Sequence, residues 1–197
     1  ASALSHPHAA SKGNAIYDKP LDKISLHKLD LEELNLLHSP IEFLLCTTKE
    51  SKRRTVKNNL EELCLTTVQM PEESWAKLGS QIIDLTLSVV RLENVSPRGS
   101  VQILLDGIGK CTEVKHLSFI KVDAGEIIPS FYFLKNMTKL LSLHLEGMNF
   151  VGPSSRALFK GISECKKLKT LYLGNMDIEE VPEDLCFDMN DLSGLTL

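Results

Sequence analysis

One apolar spacing recurs along the chain and restricts the folds open to it more than any other feature. An aliphatic residue is followed by apolar residues three, five, eight and ten positions on. Leu60, Leu63, Leu65, Val68 and Met70 form one copy, and Ile82, Leu85, Leu87, Val90 and Leu92 another. Val114, Leu117, Phe119, Val122 and Ala124 follow, then Leu140, Leu143, Leu145, Met148 and Phe150, then Leu168, Leu171, Leu173, Met176 and Ile178. Leu21, Ile24, Leu26, Leu29 and Leu31 give an upstream copy, and Leu192, Leu195 and Leu197 begin a last one. Starts at 21, 60, 82, 114, 140, 168 and 192 leave intervals of 39, 22, 32, 26, 28 and 24 residues. Such a period marks a stacked architecture in which no unit buries its own apolar face and the neighbours supply the core.

Within each copy, positions 1, 4, 6, 9 and 11 are expected to point inward. Positions 2, 3, 5, 7 and 8 are mostly polar, as an open face requires. The alternation at positions 4 and 6 is the period-two pattern of a short strand. The second half of each copy reads as helix. Pro71, Pro97, Pro129, Pro153 and Pro182 each follow a predicted strand, where a missing N–H costs nothing in the first helical turn. Val101, Leu104, Leu105 and Ile108 then recur at helical spacing, as do Ala157, Leu158, Ile162 and Cys165. The segments Gly107–Leu117 and Gly161–Leu171 also match outside the frame, which points to duplication. The 39-residue interval is expected to hold an insertion.

Composition sets outer bounds. The chain has 197 residues, 43% hydrophobic and 24% charged, which suffices for a real core. A net charge of -4 gives no general reason to bind nucleic acid or an anionic membrane. No apolar run is long enough to span a bilayer. Cys46, Cys64, Cys111, Cys165 and Cys186 are odd in number, widely spaced and free of CxxC pairs, which predicts free thiols in a reducing compartment and no metal site. Cys111 and Cys165 stand three residues before a repeat start, as Met137 and Met189 do, so a shared core position is expected.

The frame resembles that of leucine-rich repeats, whose period is about 20 to 29 residues. Their fold implies an α/β solenoid: an arc with parallel strands on the concave face and helices on the convex face. In most such repeats position 9 is Asn or Cys. Here it reads Leu29, Val68, Val90, Val122, Met148 and Met176. This aliphatic row is similar to the divergent repeats of the NAIP and Ipaf group of NOD-like receptors, as are the segments Asn59–Trp75 and Met137–Phe150. The resemblance covers residues 21 to 197. It implies a cytoplasmic, non-enzymatic module of an innate immune receptor. Its partners would be a protein ligand or the receptor's own nucleotide-binding module, without cofactor, nucleic acid or membrane. A ubiquitin-ligase substrate-recognition arm is the alternative. Residues 1–20, rich in Ala, Ser and His, are expected to be flexible, and Leu197 falls in mid-strand, so a domain truncated at its C-terminal end is expected.

The open face supplies the candidate site. In this numbering position 5 runs Ser25, Cys64, Thr86, Ser118, His144, Tyr172 and Thr196, and position 3 runs Lys23, Glu62, Asp84, His116, Ser142, Thr170 and Gly194. His116, Lys121, His144, Glu146 and Tyr172 are expected to cluster as a protein-binding patch, with Tyr172 as its rigid anchor. The competing reading is a solvated strand face. His116 and His144 lack a third ligand or an oriented carboxylate for metal or catalytic work, apart from Glu146 nearby. Gly109-Lys110-Cys111-Thr112 is no phosphate loop, because Leu104 stands where a Gly is required and Cys111 where Ser or Thr is. The basic run from Lys49 to Lys57 is expected to be a solvated insertion. Trp75 is expected to pack in a helix.

Overall fold

The computed structural model describes residues 28–33, 60–125, 129–150 and 152–178. The start of the upstream copy, the basic run, Pro182, Met189, Cys46, Cys186 and the copy at Leu192 lie outside them. The elements are β1 (Lys28–Glu32), β2 (Glu62–Thr66), α1 (Glu72–Gln81), β3 (Val89–Glu93), α2 (Val101–Ile108), β4 (His116–Ile120), β5 (Ser142–Glu146), β6 (Asn149–Phe150), α3 (Pro153–Ser163), β7 (Thr170–Gly174) and β8 (Asp177–Ile178). Strands β1, β2, β3, β4, β5 and β7 lie side by side in chain order as an open parallel sheet. Parallel neighbours need a crossover. Helical segments supply it: α1 between β2 and β3, α2 between β3 and β4, a 3-10 stretch at Phe131–Asn136 between β4 and β5, and α3 between β5 and β7. After Pro129 the expected helix is thus a 3-10 turn.

Two register rows form the inner wall of the sheet. Leu29, Leu63, Val90, Leu117, Leu143 and Leu171 make one, and Leu31, Leu65, Leu92, Phe119, Leu145 and Leu173 the other. All except Leu31 are buried. Each such side chain contributes about 1.5–3 kcal/mol on leaving water, so the rows dominate the core.

The structure corrects the frame in two copies. Val90 and Leu92 are strand residues, level with Leu63 and Leu65, whereas Leu85 and Leu87 lie in the connection before β3. Likewise Leu29 and Leu31 sit in β1 rather than after it. The cause is arithmetic. The spacing 3, 2, 3, 2 overlays itself when slid by five residues, so apolar residues at 82, 85, 87, 90, 92 and 95 admit two frames. Strand pairing chooses the later one, with Leu87 at position 1. The uneven 22 and 32 then become 27 and 27, from Leu60 to Leu87 to Val114. Position 9 becomes Val68, Val95, Val122, Met148 and Met176, still aliphatic in each described copy. Position 5 gains Asp30 and Arg91 in place of Ser25 and Thr86, and position 3 gains Lys28 and Val89 in place of Lys23 and Asp84.

Each strand of the six-stranded sheet ends in the same way. Position 8 is left-handed at Glu33, Thr67, Asn94, Lys121, Gly147 and Asn175, with φ between 48° and 64°. This turn aims the position-8 N–H of Glu33, Thr67, Asn94, Lys121 and Gly147 at the last carbonyl of the next strand, at 2.8–3.0 Å. Asn and Gly tolerate that conformation, and Thr67 does so at a cost.

On the helical side, small residues set the spacing. A Cβ on Gly107 would strike the Gly79 carbonyl oxygen, and one on Gly161 would lie 2.7 Å from the Phe131 carbonyl oxygen. The two glycines that the duplicated segments align are therefore both coil-to-coil contacts. Cys111 and Cys165 occupy the expected core position beside buried Met137. Cys111 Sγ lies 3.2 Å from the Ile82 carbonyl, and Cys165 Sγ 3.4 Å from that of Leu134, so each thiol donates to the preceding coil. Burial pushes each thiol up to about 11. Cys64, Cys111 and Cys165 are all free. Trp75 is buried in α1, as expected.

Candidate protein-binding face

Odd-numbered positions of the strands face away from the buried rows, so positions 3, 5 and 7 form the open surface. On β5 this brings His144 and Glu146 to the same side, two residues apart. His144 Nε2 lies 3.2 Å from Glu146 Oε2. Register places Tyr172 of β7 directly beside His144. Their rings meet edge to face with centroids 4.3 Å apart and planes at 69°. Such a pair contributes about 0.5–1.5 kcal/mol beyond its buried area. The Tyr172 ring leans over Gly174, where a Cβ would lie 2.5 Å from Cε1. Asn175 Nδ2 approaches Glu146 Oε1 at 3.5 Å and completes the group. The side chains of His144 and Glu146 stay 34% and 23% exposed, so the cluster is ordered yet reachable.

Of the five residues singled out in the sequence, the structure joins His144, Glu146 and Tyr172. Lys121 lies on the rim: its backbone N–H bonds the Glu146 carbonyl at 2.8 Å, and its side chain passes over Gly147. His116 is exposed on β4, level with Val89 and Ser142, and so is offset by two residues from His144. Gly174 and Asn175 were not singled out, although Gly174 is the only glycine among the described position-7 residues. Arg91 and Glu93, paired at 2.6 Å on β3, were hidden by the frame shift. Burial raises the Cys64 thiol, which stands between Asp30 and Arg91 on this face.

The dyad of His144 and Glu146 has the look of an acid–base pair. Ser118 is its lateral neighbour, yet among the described residues no hydroxyl or thiol hydrogen-bonds to His144. Nor does any group of three or more His, Cys, Asp or Glu among the described residues form a metal cluster. Among the same residues no helix is long and apolar enough to cross a membrane. The arrangement sets an aromatic edge, a carboxylate and a carboxamide side by side on the open face.

No protein-family model matches the chain, and no curated protein matches it. Among solved structures, an internalin of Listeria monocytogenes aligns with 87% of this chain at 17% identity and a TM-score of 0.35. The chain spans 60% of that internalin's length. The fold described above rests on strand register and hydrogen bonding within the chain itself.

Proposed function

We propose that the chain is a non-enzymatic protein-interaction and regulatory module, a leucine-rich-repeat arc whose concave sheet face receives its partner. The observation that carries this reading is the cluster of His144, Glu146 and Tyr172. It is packed internally, partly exposed and held on a sheet whose strands are locked in register. Rigid aromatic anchors beside satisfied polar groups are what interface centres use. In its finer form the module is the ligand-sensing or autoinhibitory repeat region of a cytoplasmic innate immune receptor similar to the NAIP and Ipaf group. The aliphatic position-9 row at Val68, Val95, Val122, Met148 and Met176 supports that resemblance. Its partner is then a protein ligand or the receptor's own nucleotide-binding module. Binding biases a two-state equilibrium by its differential affinity for the two states.

A photo-crosslinking benzophenone amino acid placed at exposed Thr170, two residues from Tyr172 on the same face of β7, with Ile103 on α2 as the helical-side comparison, tests the face. Capture of a discrete protein from position 170 and not from 103 is expected, with loss of capture on Glu146→Ala. Identical capture from both positions refutes the assignment. In the intact receptor, alanine at His144 and Tyr172 is expected to change basal signalling, and unchanged signalling counts against a regulatory role.

A further inference from the structure

Charge is segregated between the two edges of the coil. Along the edge where the helical segments return to the strands stand Lys115, Lys139, Lys166, Lys167 and Lys169, all exposed except half-buried Lys139. Lys110 and Lys135 extend the edge toward the helices. Glu113 and Glu164 interrupt it, and it turns acidic at Glu61 and Asp84 in the coils before Lys110, so the basic stretch covers the later coils alone. Lys139 Nζ is held by both oxygens of Glu113 at 2.6 Å, and Lys166 Nζ donates to the Ser163 carbonyl at 2.8 Å. Lys115, Lys167 and Lys169 form no ion pair among the described residues. The opposite edge, where strands run out into turns, carries Glu32, Glu33, Glu72, Glu93, Asp123 and Glu146 against Arg98 and Lys121. Arg98 is itself bound to Asp123.

Coil stacking turns scattered lysines into a ladder. Lys139 and Lys167 each precede position 1 of neighbouring coils, about 5 Å apart by the strand step. Lys115 and Lys169 hold position 2 two coils apart, about 10 Å, linked through Leu141 by backbone hydrogen bonds of 2.8 Å. We propose that this basic edge docks an acidic, Asp/Glu-rich polypeptide segment of a partner protein, at a surface separate from the open sheet face.

Two observations favour a short acidic peptide over a nucleic acid or a membrane. Among the described residues no free aromatic ring stands between the lysines to stack a base; Tyr132, on the helical side, is capped by Lys135 Nζ at 3.9 Å from its centroid. The whole chain carries -4, so a long polyanion meets repulsion beyond the ladder, while screening over about 8–10 Å confines attraction to a segment spanning the few basic coils.

Fluorescence anisotropy of a labelled poly-glutamate peptide, titrated with this chain at low salt, tests the proposal. Saturable binding that weakens as salt rises is expected. Lys167→Glu/Lys169→Glu is expected to weaken it by about tenfold or more, while Lys77→Glu/Arg98→Glu, the same change in net charge elsewhere, leaves it within about twofold. Circular dichroism confirms that both variants fold. Equal loss in both variants shows diffuse attraction and overturns the proposal, as does absence of peptide binding. Ladder-dependent binding of single-stranded oligothymidine or phosphatidylserine vesicles without binding of the peptide also overturns it.

Discussion

The contact between Gly107 and Gly79 is where coil stacking can be tested with one methyl group. In an exposed helix Gly→Ala stabilises by about 1 kcal/mol. At Gly107 the added Cβ would overlap the Gly79 carbonyl oxygen and lie 2.8 Å from both the Gly79 carbonyl carbon and Ile82 Cγ2. The first two obstacles are backbone, so no rotamer change relieves them, and α1 must move away from α2. That motion also lengthens the 3.2 Å contact from Cys111 Sγ to the Ile82 carbonyl. Overpacking of this kind costs about 1–3 kcal/mol, and more where main chain is struck. After the helix-propensity gain, Gly107→Ala is expected to destabilise by about 2 kcal/mol, or about 4–8 °C in Tm for a chain of this size. Urea unfolding followed by far-UV circular dichroism reads the difference. Gly161→Ala, whose Cβ would lie 2.7 Å from the Phe131 carbonyl oxygen, should move stability the same way by a smaller amount. A neutral or stabilised Gly107→Ala variant would refute the close helical stacking, because propensity alone would then govern the site.

Thr67→Asn removes a β-branched residue from the left-handed turn at φ 54° and matches Asn94 and Asn175, so unfolding should become harder by about 0.5–1 kcal/mol; a loss of stability would mean that the Thr67 side chain contributes more than its backbone costs. Cys111 and Cys165 keep their protons in the folded state to about 11, while the unfolded thiols lose theirs near 9.0, so their contribution is fully present below pH 9 and lost as pH rises toward 11. The fall in urea midpoint across that range should therefore be shallower in Cys111→Val/Cys165→Val, and an equal fall in both proteins would reject the assignment. Gly174→Ala should change stability by less than about 1 kcal/mol, since the Tyr172 ring can swing aside, yet reduce crosslinking from the open face; capture at the unmodified level would remove the packed ring from the site.

The apolar frame made the inner wall legible because burial and period-two alternation leave few alternatives at Leu63, Leu65, Leu117, Phe119, Leu143, Leu145, Leu171 and Leu173. It misled at Val90 and Leu92 because hydrophobicity alone cannot separate two frames related by five residues. The deciding information is non-local: β3 must align with β2 and β4, and only the frame starting at Leu87 gives even coils. The left-handed position 8 was likewise illegible, since Glu33, Thr67 and Lys121 bear no mark of the conformation that Gly147, Asn94 and Asn175 suggest. There the neighbouring strand's carbonyl, not the residue's own preference, selects the turn.

The same non-locality explains what was legible at the surface. His144 and Glu146 share a strand face two residues apart, so their meeting could be read from alternation, and Tyr172 followed from copies whose frames were correctly aligned. Arg91 and Glu93 were lost with their frame, and Gly174 was passed over because its role is to have no side chain where Tyr172 leans. Inward positions answer to a packing rule that repeats in every coil, so they announce themselves. Outward positions obey no rule but solubility, and their meaning arises only when the coil sets Lys139 beside Lys167 and His144 beside Tyr172. A fold of this kind therefore separates two tasks: a redundant buried frame holds the spacing, and the open face and the basic edge are free to carry different recognition chemistry on one scaffold.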